Sequence, residues 1–326
     1  MELHAREIRA PLMRRALSAR AFPTVVAVLL LGLVIAIQNP TFLSAYNLQL
    51  LAKEIGVLGI LAIAQMLVII TGGIDLSPGS LVALISVLGA IGLQRGLPLP
   101  VILLGALVAC ALIGMIHVSF ISRLGMAPFI ITLGSLSVWR GVVLVLTQGY
   151  PIKITNPTFL ALGQGDVVGI PVQFIILVII AVVYIVMLRS TPLGRYIYST
   201  GSNPTATRFS GIRVPLVLTF VYVQASVLFG LGGLIYAARL GQGMPGIGVG
   251  LELPVIAAAV IGGTSLSGGS GTVWGTILGA TLISLILNAL NMLAVSYFWQ
   301  DLVTGLVIVL AVFFDILNRR RVAIAG

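Results

Sequence analysis

The stretch that decides the fold is 55-IGVLGILAIAQMLVII-70 running into 71-TGGIDLSPGS-80. Sixteen residues without a charge meet two glycines, an acid and a proline, and a second apolar run, SLVALISVLGAIGL, follows at 80–93. The apolar runs do not alternate with polar residues as barrel strands do, so they read as membrane helices. Gly72 and Gly73 relax the first helix, Pro78 opens the next, and Ser77 stands where an N-cap would. Backbone released at membrane depth survives only when packed in protein or lining a polar cavity.

Composition extends this reading to the whole chain. Of 326 residues, 59% are hydrophobic and 8% charged, with a mean hydropathy of +1.17. A soluble domain carries roughly 25% charged residues. The chain is therefore expected to be an all-α integral membrane protein with interrupted helices. Ten spans are expected, at roughly 22–38, 54–70, 78–93, 98–120, 128–147, 169–188, 215–237, 251–264, 271–291 and 297–317. They form one transmembrane domain over 22–317, between a basic segment 1–21 and a tail 318–326. The segment 1–21 lacks the look of a cleaved signal, so 22–38 reads as the first span.

Net charge is +10, and its placement sets the orientation. With a cytoplasmic N-terminus, the inside segments collect thirteen basic residues: five in 1–21, Arg123, Arg189, Arg195, Arg208, Arg213 and Arg319–Arg321. The outside segments collect Lys53, Arg95, Lys153 and Arg239. This asymmetry fits the positive-inside rule with both termini cytoplasmic. A nucleic-acid binder would instead gather its charge on a soluble domain.

Residues 71–90, TGGIDLSPGSLVALISVLGA, return at 261–280 as IGGTSLSGGSGTVWGTILGA, with nine of twenty positions identical. The shared frame GG-x-x-LS-x-GS points to a duplicated element, with parallel and inverted copies both open. Repeated halves with matching interrupted helices mark solute pathways in transporters. Gly72, Gly73, Asp75, Ser77, Ser80, Gly262, Gly263, Thr264, Ser265 and Ser267 are thus candidate pathway or gate residues. Two tight turns near the membrane surface are the alternative. Because Ser265 stands in place of Asp75 in the second copy, the acid is expected to serve a local partner rather than the break itself. Arg140, the other charge deep in a span, is a candidate partner, and a nearby helix N-terminus is another.

Several classes are excluded. No glycine precedes either lysine, Lys53 or Lys153, so there is no phosphate-binding loop and no ATPase in this chain. His4 and His117 stand far apart and Cys110 is the only cysteine, so neither a zinc site nor an internal disulfide is expected, nor any cofactor. His117 and Cys110 read as structural. A single Asp and a single Arg within the spans make a poor relay for ion coupling, and no catalytic constellation is visible.

The inside loop 189–214 contains TPLGRYIYSTGSNPTATRFSGIRV at 191–214, with a short helix expected over roughly 203–210 and Gly211 as its stop. It is suited either to a peripheral partner or to anionic lipid. Together, TGGIDLSPGS, STGSNPTATRFSGIRV and AAAVIGGTSLSGGSGTVWGTILGA resemble the permease subunits of bacterial ATP-binding-cassette (ABC) sugar importers of the ribose, xylose and arabinose class, over roughly residues 50–315. The resemblance implies an inner-membrane permease that works as a dimer, most simply a homodimer. It also implies two separate cytoplasmic ATPase subunits and a periplasmic sugar-binding protein. Gly201, Asn203, Ala206, Arg208, Ser210 and Gly211 match the family's ATPase-contacting segment; Thr207 stands where a second alanine is commoner. Importers of non-sugar solutes, branched-chain amino acids among them, and ion-coupled carriers remain the rival readings.

Overall fold

The computed structural model describes residues 22–296, together with 299, 300, 302, 303, 305, 306, 309 and 313. The expected N-terminal segment and tail, and most of the expected tenth span, lie outside these residues. Among the described residues, six helices are long and apolar enough to cross a membrane: α2 (Ala45–Ile70), α4 (Leu99–Arg123), α5 (Pro128–Thr147), α7 (Val172–Ser190), α10 (Val214–Leu240) and α12 (Val273–Met292). Three shorter apolar helices are α1 (Phe22–Gln38), α3 (Pro78–Gln94) and α11 (Glu252–Ile261). The remaining α-helices, α6 (Pro157–Gln164), α8 (Pro192–Ser202) and α9 (Pro204–Phe209), are short connectors. At about 1.5 Å per residue, the ten residues of α11 rise only about 15 Å, half a bilayer core. The expected span at 251–264 is therefore incomplete as a helix.

The core forms around α2, whose residues Val57 to Ile70 are almost all fully buried. The α10 helix runs antiparallel to it: Glu54 bonds Arg239, and Gly232 and Gly73 abut Leu61 and Tyr222. Parallel to α2 lies α7, with Gly56 and Gly59 admitting Gln173 and Leu177 at close range. Antiparallel to it lies α12, joined through a reciprocal amide pair: Asn47 Nδ2 donates to Asn288 Oδ1 at 3.2 Å and Asn288 Nδ2 to Asn47 Oδ1 at 2.9 Å. Small residues at these crossings let the backbones approach, since apolar association alone drives little in lipid.

The bundle has two distinct ends. One carries α6 and two small antiparallel pairings, β1 (Ile152–Lys153) with β4 (Gln242–Gly243) and β2 (Asp166–Val167) with β3 (Ile170–Pro171). The other carries α8 and α9. They are called here the hairpin end and the α8 end. Lys153 and the 189–214 loop thus fall at opposite ends.

Candidate translocation and coupling site

The first break, 71–77, is built from local chemistry. Gly72 takes φ +83°, and the Gly73 N–H reaches back to the Val68 carbonyl at 3.1 Å, closing α2 with a glycine cap. Asp75 is fully buried, and its Oδ1 accepts from the Ser77 N–H at 2.7 Å and the Ser77 Oγ at 2.6 Å. The acid thus makes the turn itself, contrary to the expectation drawn from Ser265. Ser77 makes no side-chain cap of α3, because its backbone is already helical at φ −85° and ψ −6° rather than extended as an N-cap requires. Ser80 Oγ donates to the Ser77 carbonyl at 3.0 Å.

Arg140 is not the partner of Asp75. Thr132 Oγ1 donates to the Ile74 carbonyl at 3.2 Å, which places Asp75 beside the start of α5. Arg140 lies eight residues further along α5, about 12 Å away along the axis. What faces Asp75 instead is His117: its Nδ1 stands 3.9 Å from Asp75 Oδ2, while its Nε2 contacts Ser135 Oγ at 2.7 Å. No sequence signal marked this pairing, since 42 residues separate the two positions. Removing the Asp75 acceptor should leave the Ser77 N–H buried and unpaired. Asp75→Ala is expected to cost about 2–4 kcal/mol, while Asp75→Asn, which keeps the Oδ1 acceptor, costs about 1 kcal/mol or less. Thermal unfolding in detergent checks this; equal midpoints for the two variants would contradict it.

The second break, 262–272, shares the frame but not the detail. Here the second glycine, Gly263, takes the left-handed conformation at φ +90°, and Thr264 N–H bonds the Ala259 carbonyl at 3.0 Å. A turn follows, with Ser265 N–H donating to Ser270 O at 2.9 Å, and Thr272 caps α12 through the Gly275 N–H at 3.1 Å. Gly262 packs directly on Gly275. Both breaks lie at the α8 end, and the helices after them run toward the hairpin end, so the two copies run in parallel. Ser77, Ser80, Thr264 and Ser265 are buried in this conformation, and Ser267 is exposed.

The two breaks meet each other and α8 at one point. The Gly269 N–H donates to the Ile70 carbonyl at 2.8 Å, joining second break to first. Gly201, in the last turn of α8, lies against the same Ile70 carbonyl and against Gly269, while Gly268 approaches both Gly201 and Gly72. Tyr198 donates its hydroxyl to the Gly271 carbonyl at 2.8 Å; burial raises the pKa of this phenol, against the pull of Arg189, so it stays a donor. After α8, Asn203 caps α9 through the Ala206 N–H at 2.9 Å, and Gly211 ends it at φ +83° with its N–H on the Arg208 carbonyl. Thr207 is buried, its hydroxyl donated to the Asn203 carbonyl at 2.8 Å, and Ser210 Oγ donates to the Ala206 carbonyl at 3.1 Å. Arg208 is exposed and, with Gly211 and Arg213, borders an open hollow of about 460 Å³.

A third irregular segment follows α10. Gly243 packs on Ser86, Val87 and Ala90 near the end of α3, and Gly248 packs on Gly79 at its start. Residues 244–251 therefore descend beside about 16 Å of α3 without forming a helix. Arg140 holds them: its Nη1 donates to the Pro245 carbonyl at 2.7 Å and the Ile247 carbonyl at 2.9 Å. The sequence carries a signal for it, five glycines in 241-GQGMPGIGVG-250, between two of the expected spans. This segment borders a cavity of about 490 Å³ in the hairpin-end half, lined also by Glu54, Tyr236, Asn288, Asn291 and Gln300. None of the ten expected pathway residues lines it.

Residues 47–312 match the family described as "Branched-chain amino acid transport system / permease component". The chain is 42% identical to the ribose import permease protein RbsC of Bacillus subtilis (strain 168), over 88% of this chain and 89% of that protein. It is 38% identical to the RbsC of Haemophilus influenzae, over 89% and 91%. It is 30% identical to the xylose transport system permease protein XylH of Haemophilus influenzae, over 86% and 91%. No solved structure matches. The chain belongs to the family of branched-chain amino acid transport system permease components, within which it is similar to the ribose and xylose import permeases.

Proposed function

We propose that the chain is the membrane-spanning subunit of an ATP-driven importer that carries a monosaccharide across the bacterial inner membrane into the cytoplasm. The observation that carries this reading is the similarity, over most of the chain, to permeases that import ribose and xylose. In this reading the α8 end is cytoplasmic and the hairpin end periplasmic, the domain 22–317 holds ten spans, and both termini are cytoplasmic. Two copies pair, two ATPase subunits dock at α8–α9, and a loaded binding protein docks over the β-pairings and α6.

The mechanism follows from the junction at Gly201. A push on α8 and α9 from closing ATPase subunits acts through Gly201 on Ile70 and Gly269, and so on both breaks at once. The breaks carry the motion into α3 and α12, which run to the other face. Ser77, Ser80, Thr264 and Ser265 become pathway groups as the packed breaks part. Their weak, exchangeable hydrogen bonds suit a neutral, hydroxyl-rich solute.

Reconstitution in vesicles with the ATPase and binding protein tests the reading. ATP-dependent uptake of D-ribose or D-xylose is the expected result. Uptake that needs no ATPase and collapses with an uncoupler would instead indicate an ion-coupled carrier. Arg208→Ala and Gly211→Ala are expected to leave insertion intact but to separate ATP hydrolysis from uptake, lowering sugar moved per ATP by about tenfold. The expected loss corresponds to about 1.4 kcal/mol at the ATPase contact. Unchanged stoichiometry in both variants would remove this segment from coupling.

A further inference from the structure

We propose that the solute rests, during passage, in the cavity between α2, α10, α12 and residues 247–254, and that this cavity accepts a neutral polyhydroxylated molecule and rejects a zwitterionic amino acid. The proposal rests on the transport reading above and adds to it a site and a basis for selectivity.

The first argument is backbone chemistry. Non-helical chain at membrane depth persists only in contact with protein or a hydrated cavity. Residues 244–251 meet this condition on both sides. One side packs on α3, and Arg140 takes the Pro245 and Ile247 carbonyls. The other lines the cavity with Gly248, Val249 and Gly250, whose N–H groups make no backbone hydrogen bond among the described residues. Positive φ at Gly248 (+73°) and Gly250 (+76°) alternates with Val249 and turns successive amides in different directions. Such a segment offers short-range donors to oxygen atoms of a ligand.

The second argument is size and charge. A volume of about 490 Å³ falls within the range of roughly 300–1,000 Å³ typical of small-molecule sites. Glu54 is the only described lining residue that carries charge near neutrality, and Arg239 holds it at 2.6 Å. Asn288 is engaged with Asn47, and Gln300 donates to Asn291 Oδ1 at 2.9 Å. The lining therefore presents amides, a phenol and backbone groups between apolar walls such as Leu50, Leu253 and Leu287, with no unpaired charge for an ammonium or carboxylate. A zwitterion would be desolvated without compensation. A sugar would trade water for amide hydrogen bonds and stack its C–H faces on leucine.

Three variants of the full chain test this, in the complete complex. Val249→Trp fills the cavity from an exposed position and is expected to lower D-ribose uptake by more than tenfold. Asn291→Leu is expected to lower it by about tenfold, the cost of one or two lost hydrogen bonds. Both should retain ATP hydrolysis stimulated by the loaded binding protein. In the third variant, Val249→Cys, labelling by a hydrophilic maleimide is expected to slow in about 100 mM D-ribose and not in equal L-leucine, a concentration chosen for the weak affinity that release demands. The only other cysteine, Cys110, is buried and contributes no background. ATP-driven ribose uptake that V249W and N291L leave unchanged, or protection by L-leucine and not D-ribose, would overturn the cavity assignment alone. Absence of ATP-driven sugar uptake by the unmodified complex would overturn the transport reading, whereas ribose protection of V249C would still stand for the cavity.

Discussion

Gly201→Ala is expected to abolish ATP-driven uptake while the chain remains in the membrane. A Cβ at this position would overlap the Ile70 carbonyl oxygen and lie 2.7 Å from Gly269 N. All of these obstructing atoms are backbone, so no rotamer change relieves the clash. The Gly268 approach to the Gly201 carbonyl, where a Cβ would stand at 2.7 Å, leaves no space on the other side. The methyl must therefore separate α8 from both breaks, or break the 2.8 Å bond from Gly269 to Ile70. Overpacking costs about 1–3 kcal/mol and a lost buried backbone bond about 1 kcal/mol more. The sum, borne at the point through which the ATPase stroke is proposed to pass, should reduce uptake by well over tenfold. Gly105→Ala is the control, because a Cβ there meets open space, and it should transport normally. Full uptake by the Gly201 variant would mean that α8 and the breaks do not move as a unit.

Arg140→Ala is expected to be strongly destabilising. Its guanidinium serves two carbonyls of a segment that has no helical partners of its own, at 2.7 and 2.9 Å. Glu252 attracts the same charge, and its carboxylate stands 3.1 Å from the space above Gly79, near the start of α3. Without Arg140, the Pro245 and Ile247 carbonyls lose their donors in a medium that supplies none. Two charged hydrogen bonds lost in this way amount to about 3–5 kcal/mol. Arg140→Lys should restore less than half of this, because a single ammonium lacks the planar fork. Thermal unfolding of the detergent-solubilised chain, with protease susceptibility at 244–251, measures the effect. A midpoint unchanged in Arg140→Ala would show that water or lipid headgroups satisfy these carbonyls.

The sequence alone determined the membrane class, most of the apolar helices, the paired breaks and the short α9 helix with its stop at Gly211; the Asn203 cap came from the structure. The former are local properties. Apolar run length and glycine and proline placement act within a few residues, so a linear reading captures them. The same locality explains why α8 went unread: TPLGRYIYSTGS carries two glycines and is helical because Thr191 caps it and Tyr198 docks on Gly271. Of the two candidate partners of Asp75, the start of α3 meets it through the Ser77 N–H, and Arg140 does not, for a related reason. Charge in a span marks Arg140 as conspicuous, but depth along α5 decides contact, and Thr132 rather than Arg140 shares the level of Asp75. Only the tertiary structure placed His117 opposite the acid, brought Gly201, Gly72 and Gly268 to one point, and ran 244–251 down α3 under Arg140. Each of these joins segments at least 40 residues apart, and what fixes them is close backbone approach in a medium without water, where every unpaired donor and acceptor must find a partner from another helix.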